Sequence, residues 1–212
     1  MEELNPSELG THEYWEDRYK DEIENFCKNG DPGDIWFGEN ISDQIIQWIN
    51  KTNSIKKDSK IVDIGCGNGM LLVQLAEEGY TNLHGLDYSE KAIELAKAVA
   101  QKQKVNISYV TCNILEEIKD DYDIIHDKGT YDAISLSQNA TDHRNKYIEN
   151  MYASLKNDGI LLITSCNWTQ DELKDQFSKK FEQAEIIPTP QYRFGGKVGS
   201  IVSSCVFRKK SK

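Results

Sequence analysis

The chain has 212 residues, 38% of them hydrophobic and 28% charged, which is typical of one globular domain with a sizeable core. Its formal net charge of −10 argues against a nucleic-acid substrate, because phosphate binding relies on clustered Lys and Arg. No signal peptide or membrane span is visible, and the widely spaced cysteines and unclustered histidines predict a cytoplasmic protein with reduced thiols and no metal site.

The N-terminal part of the chain reads as two helices separated by a break. Aromatic side chains recur at helical spacing over 10–29, including Trp15 and Tyr19. Gly and Pro interrupt this pattern at 30–34, and a short aromatic segment with Trp36 follows. A second helix is predicted over 42–51, with Ser42 as its N-terminal cap.

From residue 60 onward, short β-branched runs alternate with helical segments. Strands are predicted over 61–64, 82–86, 106–111, 122–126, 159–165, 181–187 and 201–208. Helices are predicted over 70–78, 89–103, 142–155 and 170–179, and Ser89 and Glu90 supply cap chemistry for the second of them. This order indicates an α/β fold, a Rossmann-like, doubly wound and mostly parallel seven-stranded sheet that ends in an antiparallel hairpin. We expect a single domain over 1–212, with a helical lid over 1–55 and a cofactor-binding core over 56–212.

Three glycines at alternate positions follow the first predicted strand. They are Gly65, Gly67 and Gly69, with Asp63 two residues before the first. The dinucleotide fingerprint has the different spacing G-x-G-x-x-G, and an acid so close to the turn repels a pyrophosphate. The same acid attracts an ammonium group, which S-adenosylmethionine carries at its amino-acid end. The alternative is a tight strand–helix turn without a ligand.

The next two strands end in residues suited to the rest of that cofactor. Asp87 lies about twenty residues beyond the glycines, where a carboxylate accepts hydrogen bonds from ribose hydroxyls in doubly wound folds. Asn113 can pair with the adenine amino group while Ile114 covers the ring. The alternatives are an ordinary acid at a helix entry for Asp87 and an ordinary polar turn residue for Asn113.

The segment after the fourth strand, over 127–133, is expected near the reactive methyl group. Ligands of open α/β sheets bind beyond the carboxyl ends of the strands, near the switch in strand order. If the first and fourth strands are neighbours, Asp127 is the carboxylate best placed to orient an acceptor nitrogen. Lys128 either contacts the substrate or is only solvated or paired to an acid.

These motifs resemble a known family. The segments over 63–69, 86–89, 127–133 and 164–169 look like class I, seven-β-strand S-adenosylmethionine-dependent methyltransferases. The match narrows with Leu9-Gly10-Thr11, Tyr14-Trp15, the segment over 35–39 and the late run over 194–196. Together they resemble the methyltransferase-like-10 type, the lysine methyltransferases of translation elongation factor 1-alpha, over about residues 9–207.

The resemblance implies S-adenosylmethionine as cofactor, S-adenosylhomocysteine as product, and a set of site residues. The implied cofactor contacts are Asp63, Gly65, Gly67, Gly69, Asp87, Tyr88, Asn113 and Ile114. We also expect cofactor contacts at Cys66, Asn68 and Asp127. Asn113 departs from the acid usual at its position. Trp15, Tyr19 and Trp36 are implied to fold over the cofactor, although Trp15 and Tyr19 can equally be core aromatics. Substrate contacts are expected at Lys128, Asn167, Trp168 and the loop over 194–199, and Asp127 is the expected catalytic residue.

The function expected from these observations is methyl transfer to a lysine of translation elongation factor 1-alpha, by a monomer that binds neither nucleic acid nor membrane. The Asn/Asp-Pro-Pro-aromatic motif of base and glutamine methyltransferases is absent from the sequence, which counts against those acceptors. Two alternatives stay open at this point. One is a small-molecule N- or O-methyltransferase, and the other is a catalytically silent protein that uses the cofactor fold for binding.

Overall fold

The computed structural model describes residues 3–116, 118, 120–194 and 197–210, without the side chains of 192–198. A short 3₁₀ helix, Glu8–Gly10, comes first. The α-helices are α1 His12–Asn29, α2 Glu39–Lys51, α3 Met70–Glu77, α4 Glu90–Gln103, α5 Thr130–Ser135, α6 Ala140–Ser154 and α7 Gln170–Phe177. The strands are β1 Ile61–Ile64, β2 Leu83–Asp87, β3 Ser108–Thr111, β4 Tyr122–Lys128, β5 Leu155–Ser165, β6 Phe181–Ile187, β7 Gln191–Phe194, β8 Lys197–Ser200 and β9 Ser203–Lys209.

Seven strands form one sheet in the order β3-β2-β1-β4-β5-β9-β6. The first five strands of this order run parallel, and β9 is antiparallel to both β5 and β6. The predicted fold is therefore confirmed, including the antiparallel end. Because β1 pairs with both β2 and β4, the chain reverses its direction across the sheet there, which opens a crevice at the carboxyl ends of these strands.

Alternate residues of the parallel strands pack on opposite faces of the sheet. Ile61 and Ile124 pack with apolar residues of α2, α3 and α4 on one face. Val62 and Ile125 pack with apolar residues of α6 and α7 on the other face. Burial on both faces explains why these strands are short apolar runs without polar alternation.

Three of the differences from the predicted elements concern segments expected at the site. Helix α2 begins at Glu39, so Ser42 is a buried residue inside the helix and not its cap. Helix α5 was not predicted, because six residues are too short to show a helical period. The hairpin of β7 and β8 was not predicted either, and Gly195 and Gly196 of the predicted substrate loop lie outside the described residues.

Helix α1 and the segment that follows it cover one side of the crevice. Thr11 caps the helix by accepting a hydrogen bond from the Tyr14 backbone, and Gly30 ends it with a φ of 72°. Lys102 of α4 donates to the Gly30 carbonyl, with a distance of 2.7 Å. In the ranges that the structure describes, no helix is both long and apolar enough to cross a bilayer.

Candidate active site

The turn between β1 and α3 packs closely against helix α1 and helix α5. Gly65 has a φ of 63° and Gly67 a φ of 53°, a region that favours glycine. A Cβ on Gly65 would meet the side chain of Thr130, and one on Gly67 would meet the Tyr19 hydroxyl at 2.5 Å. The turn therefore admits no side chain at either position, which lets a ligand approach its backbone.

Asp87 at the end of β2 binds this turn directly. Its Oδ2 accepts a hydrogen bond from the Gly67 backbone and its Oδ1 one from the Ser89 backbone, both at 3.0 Å. Ser89 also caps α4, as predicted, by accepting from the Ala92 backbone. Burial raises the pKa of Asp87 to about 6, while the bonds from Ser89 and Gly67 oppose that rise.

A cavity of about 670 Å³ lies over the carboxyl ends of β1, β2 and β4. Most of the predicted site residues line it together, although they come from distant parts of the chain. These are Trp15, Tyr19, Trp36, Asp63, Gly65, Cys66, Gly67, Asn68, Asp87, Tyr88, Asn113, Ile114, Lys128 and Asn167. Gly69, Asp127 and Trp168 do not belong to the lining.

The N-terminal aromatics form a lid over this cavity. The rings of Trp15 and Trp36 lie 5.1 Å apart, and Trp15 stacks on Tyr19 with 6.1 Å between centroids. Tyr19 is also buried against α4, so it is a core aromatic that also lines the cavity. Trp36 is 37% exposed and is the more open side of the lid.

Two polar side chains of the core hold the lid segment in place. The Asn68 amide donates to the carbonyls of Pro32 at 3.0 Å and Asp34 at 3.2 Å. The Lys128 ammonium donates to the carbonyl of Trp36 at 3.0 Å, and burial lowers its pKa. Both side chains are thus engaged with the protein itself, although both line the cavity.

Gly69 has a packing role in place of the predicted cofactor contact. It precedes α3 with a φ of 72°, and a Cβ there would meet the Tyr109 hydroxyl and the Ala96 side chain. Its small size lets α3 and α4 approach the sheet. The structure thus gives Gly69 a packing role, and its position outside the cavity lining argues against the predicted cofactor contact.

Asp127 does not face the cavity, which contradicts the role predicted for it. Its side chain is 0% exposed and accepts hydrogen bonds from the backbone of Thr130 and Tyr131, at 2.9 and 3.1 Å. The Tyr147 hydroxyl donates to it as well, at 2.6 Å. Burial raises the pKa of Asp127 to about 7, and the bond from Tyr147 opposes this. Asp127 therefore fixes the start of α5, and its burial argues against the predicted contacts with cofactor and substrate.

Asp132, in the first turn of α5, is the carboxylate of this segment that lines the cavity. It is 5% exposed, and it accepts hydrogen bonds from the Ser165 hydroxyl and, at 2.8 Å, from the Cys166 backbone. Burial raises the pKa of Asp132. No individual role was predicted for this residue within the segment over 127–133. The orientation of Asp132 depends on where α5 begins, and a helix of six residues is too short to show a period in the sequence.

Trp168 lies in the core beside this carboxylate and not at the substrate surface. It is 3% exposed, its indole nitrogen donates to the Ser135 hydroxyl at 3.0 Å, and the Arg144 guanidinium lies 5.3 Å from its ring centroid. The burial of its indole argues against the predicted substrate contact. Its neighbour Asn167 lines the cavity.

The residues present fit S-adenosylmethionine. The cavity volume lies within the roughly 300–1,000 Å³ of small-molecule sites. Acids at Asp63 and Asp87 suit an ammonium group and ribose hydroxyls, and Ile114 offers an apolar face for an adenine ring. Asn113 accepts from the Leu115 backbone at 3.1 Å, so its oxygen is engaged within its own turn. Among the described residues, no group of His, Cys, Asp or Glu side chains could hold a metal ion.

Comparisons with known proteins identify the class of protein to which this chain belongs. A family model described as a methyltransferase domain matches residues 55–208. The human protein "EEF1A lysine methyltransferase 2" is 42% identical over 96% of this chain and 88% of its own length. The "Protein-lysine N-methyltransferase EFM4" of Saccharomyces cerevisiae is 37% identical, with 99% of this chain and 98% of its own length covered. Magnesium protoporphyrin IX methyltransferase from Synechocystis, solved with bound SAM, shares the fold with a TM-score of 0.68, 16% identity and coverage of 98% and 100%.

The fold and the site thus define a methyltransferase of the seven-stranded class. Within that class, the chain belongs to the family of the human and yeast protein-lysine methyltransferases, which it matches over nearly its whole length.

Proposed function

We propose that this protein transfers a methyl group from S-adenosylmethionine to a lysine of translation elongation factor 1-alpha. The observation that carries this proposal is the 40–42% identity to three relatives named EEF1A lysine methyltransferase 2, over 96–98% of the chain. The expected small-molecule acceptors and the silent binding role have no comparable support. The intact acid and glycine turn, with a lined cavity beside it, favours an active enzyme.

S-adenosylmethionine, when bound, supplies the activated methyl group. We assign its amino-acid end to Asp63 and the backbone of the glycine turn, its ribose to Asp87, and its adenine to Asn113 and Ile114. Trp15, Tyr19 and Trp36 exclude water above it. Exclusion of water strengthens the electrostatic interactions inside the cavity.

The acceptor side lies between the ends of β4 and β5. An unperturbed lysine has a pKa of about 10.4, so its deprotonation at pH 7 costs roughly 4–5 kcal/mol. Partial desolvation lowers that pKa, and correct positioning of two reactants contributes up to roughly 7–11 kcal/mol. We assign the orienting role to Asp132 with Asn167 beside it, because both line the cavity and Asp127 does not. The loop over 194–199 stays a proposed substrate contact.

A labelling experiment tests the function. Tritiated S-adenosylmethionine is incubated with the enzyme and a cytosolic extract from cells that lack it, and then with purified elongation factor 1-alpha. We expect one labelled band at the mass of the elongation factor, and loss of the band with Asp63→Asn. Label in small solutes alone would support the small-molecule alternative, and absence of all label would support a silent protein.

We further infer a cytoplasmic monomer that binds neither nucleic acid nor membrane, with a lid over 1–55 and a core over 56–212 in one domain. The net charge of −10 supports the absence of nucleic-acid binding. Light scattering coupled to size-exclusion chromatography is expected to give the mass of one chain, 24.2 kDa. A mass of two chains would overturn the monomer.

A further inference from the structure

A buried histidine lies directly beside the acid assigned to the cofactor. In the parallel pairing of β1 and β4, Asp63 is the partner of His126. Side chains of paired residues point to the same face of a sheet, and the His126 Nδ1 lies 2.6 Å from the Asp63 Oδ1. His126 is 0% exposed and Asp63 5% exposed. The sheet register thus places the imidazole of His126 against the carboxylate of Asp63, which also lines the cavity.

The surroundings of the ring select one form of the imidazole. A carboxylate oxygen only accepts hydrogen bonds, so Nδ1 carries the proton of this contact. The buried Nε2 has no hydrogen-bond partner among the described residues. A second proton there would be a buried donor without an acceptor, which is unfavourable. His126 is therefore the neutral Nδ1–H tautomer, and the pair keeps the negative charge of Asp63.

We propose that His126 is a positioning residue that holds Asp63 for the ammonium end of the cofactor. The contact with Nδ1 occupies Oδ1 and fixes the plane of the carboxylate, which leaves Oδ2 for the ligand. A neutral histidine does this without cancelling the negative charge that attracts the ammonium. The inference rests on the proposed cofactor and concerns its binding alone, and it does not depend on the identity of the methyl acceptor.

Binding of three adenosine compounds to four proteins tests the proposal. The compounds are S-adenosylhomocysteine, its decarboxylated form, which keeps the amine, and methylthioadenosine, which lacks the amino-acid end. The proteins are the wild type, His126→Leu, His126→Asn and the matched control His84→Leu. His84 lies on β2 opposite Val62, and its Nε2 lies 2.9 Å from the Asn82 side chain, away from the cavity. Titration calorimetry measures each dissociation constant.

The expected result is selective for the amine. His126→Leu raises the dissociation constants of S-adenosylhomocysteine and its decarboxylated form about tenfold. Loss of the hydrogen-bond partner that orients a metal ligand has an effect of similar size on metal affinity. The dissociation constant of methylthioadenosine stays within twofold of its wild-type value. His126→Asn restores an N–H donor toward Asp63 and recovers most of the affinity. His84→Leu changes none of the three constants more than twofold.

Other outcomes overturn the proposal. If His126→Leu weakened the binding of all three compounds equally, His126 would be a merely structural residue. If it left the affinity for S-adenosylhomocysteine unchanged, His126 would have no role in cofactor binding. The wild type gives a test that needs no variant, because nitrogen NMR of the histidines distinguishes the tautomers. A protonated Nε2 of His126 would also contradict the proposal. If the wild type binds S-adenosylhomocysteine but does not label the elongation factor, the proposed acceptor fails and this test still stands.

Discussion

The two walls of the cavity differ in how their side chains come to face it. On the cofactor wall, Asp63 and Asp87 end parallel strands, and strand ends at the switch in strand order point into the crevice. On the acceptor wall, the unpredicted helix α5 begins within the segment. It turns Asp127 into the core and Asp132 toward the cavity. A site on strand ends can be inferred from spacing alone, whereas a site on a short helix depends on where that helix starts.

The largest expected effect is at the point where the two walls touch. Gly65→Ala puts a methyl group against the Thr130 side chain and forces an alanine into a φ of 63°. The turn or α5 must move, so we expect S-adenosylhomocysteine affinity to fall more than about 100-fold and stability to fall by roughly 2–4 kcal/mol. Calorimetry and urea unfolding measure the two effects.

Gly79→Ala is the matched control for that change. Gly79 has a φ of 91°, but a Cβ there would have nothing within 4 Å. Only backbone strain remains, which costs about 1–2 kcal/mol, and cofactor affinity should stay within twofold. Equal losses in both variants would mean that strain alone matters and that the walls are not in steric contact at Gly65.

The next effect separates the two acids of the acceptor wall. Asp132→Asn removes the charge that faces the cavity, so we expect kcat to fall about 100-fold while S-adenosylhomocysteine affinity changes less than threefold. Steady-state kinetics with purified elongation factor 1-alpha measure it. A normal kcat in this variant would mean that another residue orients the acceptor and that Asp132 does not define the acceptor wall.

Asp127 should act on stability, with a pH dependence set by its raised pKa. Burial raises this pKa from its ordinary value of 3.8 to about 7, so the folded state binds the proton more tightly between these values. The stabilisation is complete below about pH 4 and is lost as the pH rises through 7. The free-energy advantage of wild type over Asp127→Asn should therefore shrink by about 2 kcal/mol or more between pH 4 and pH 8.

Urea unfolding at a series of pH values measures that advantage. Tyr147→Phe is the companion variant, since it removes the hydroxyl that donates to Asp127 and leaves the ring in place. An advantage that does not depend on pH would mean that Asp127 keeps its ordinary pKa. Catalytic loss in Asp127→Asn without any loss of stability would restore its direct role.

The sequence predicted the parallel core, the helix cap at Ser89 and fourteen lining residues, because these depend on local patterns and on strand ends. It could not predict that α5 begins after Gly129, since six residues carry no period. The inward orientation of Asp127 follows from that helix start. His126 could not be assigned either, because its contact with Asp63 depends on which strands are neighbours and in what register.

The smallest expected effect concerns the neighbours Asn167 and Trp168. Trp168→Phe removes one hydrogen bond to Ser135 and keeps an aromatic ring in the core. It should lower stability by about 1 kcal/mol and leave the KM for the elongation factor within twofold. Asn167→Ala, on the cavity side, should raise that KM about threefold to tenfold without a change in stability.

Their opposite positions give this pair its value as a test. If Trp168 affects only stability and Asn167 only substrate binding, then burial and cavity lining predict the roles of this pair, as they do for Asp127 and Asp132. A raised KM in Trp168→Phe at unchanged stability would show that the indole reaches the substrate after a rearrangement of the β5 end. The predicted substrate contact of Trp168 would then be right although the burial of its side chain argues against it.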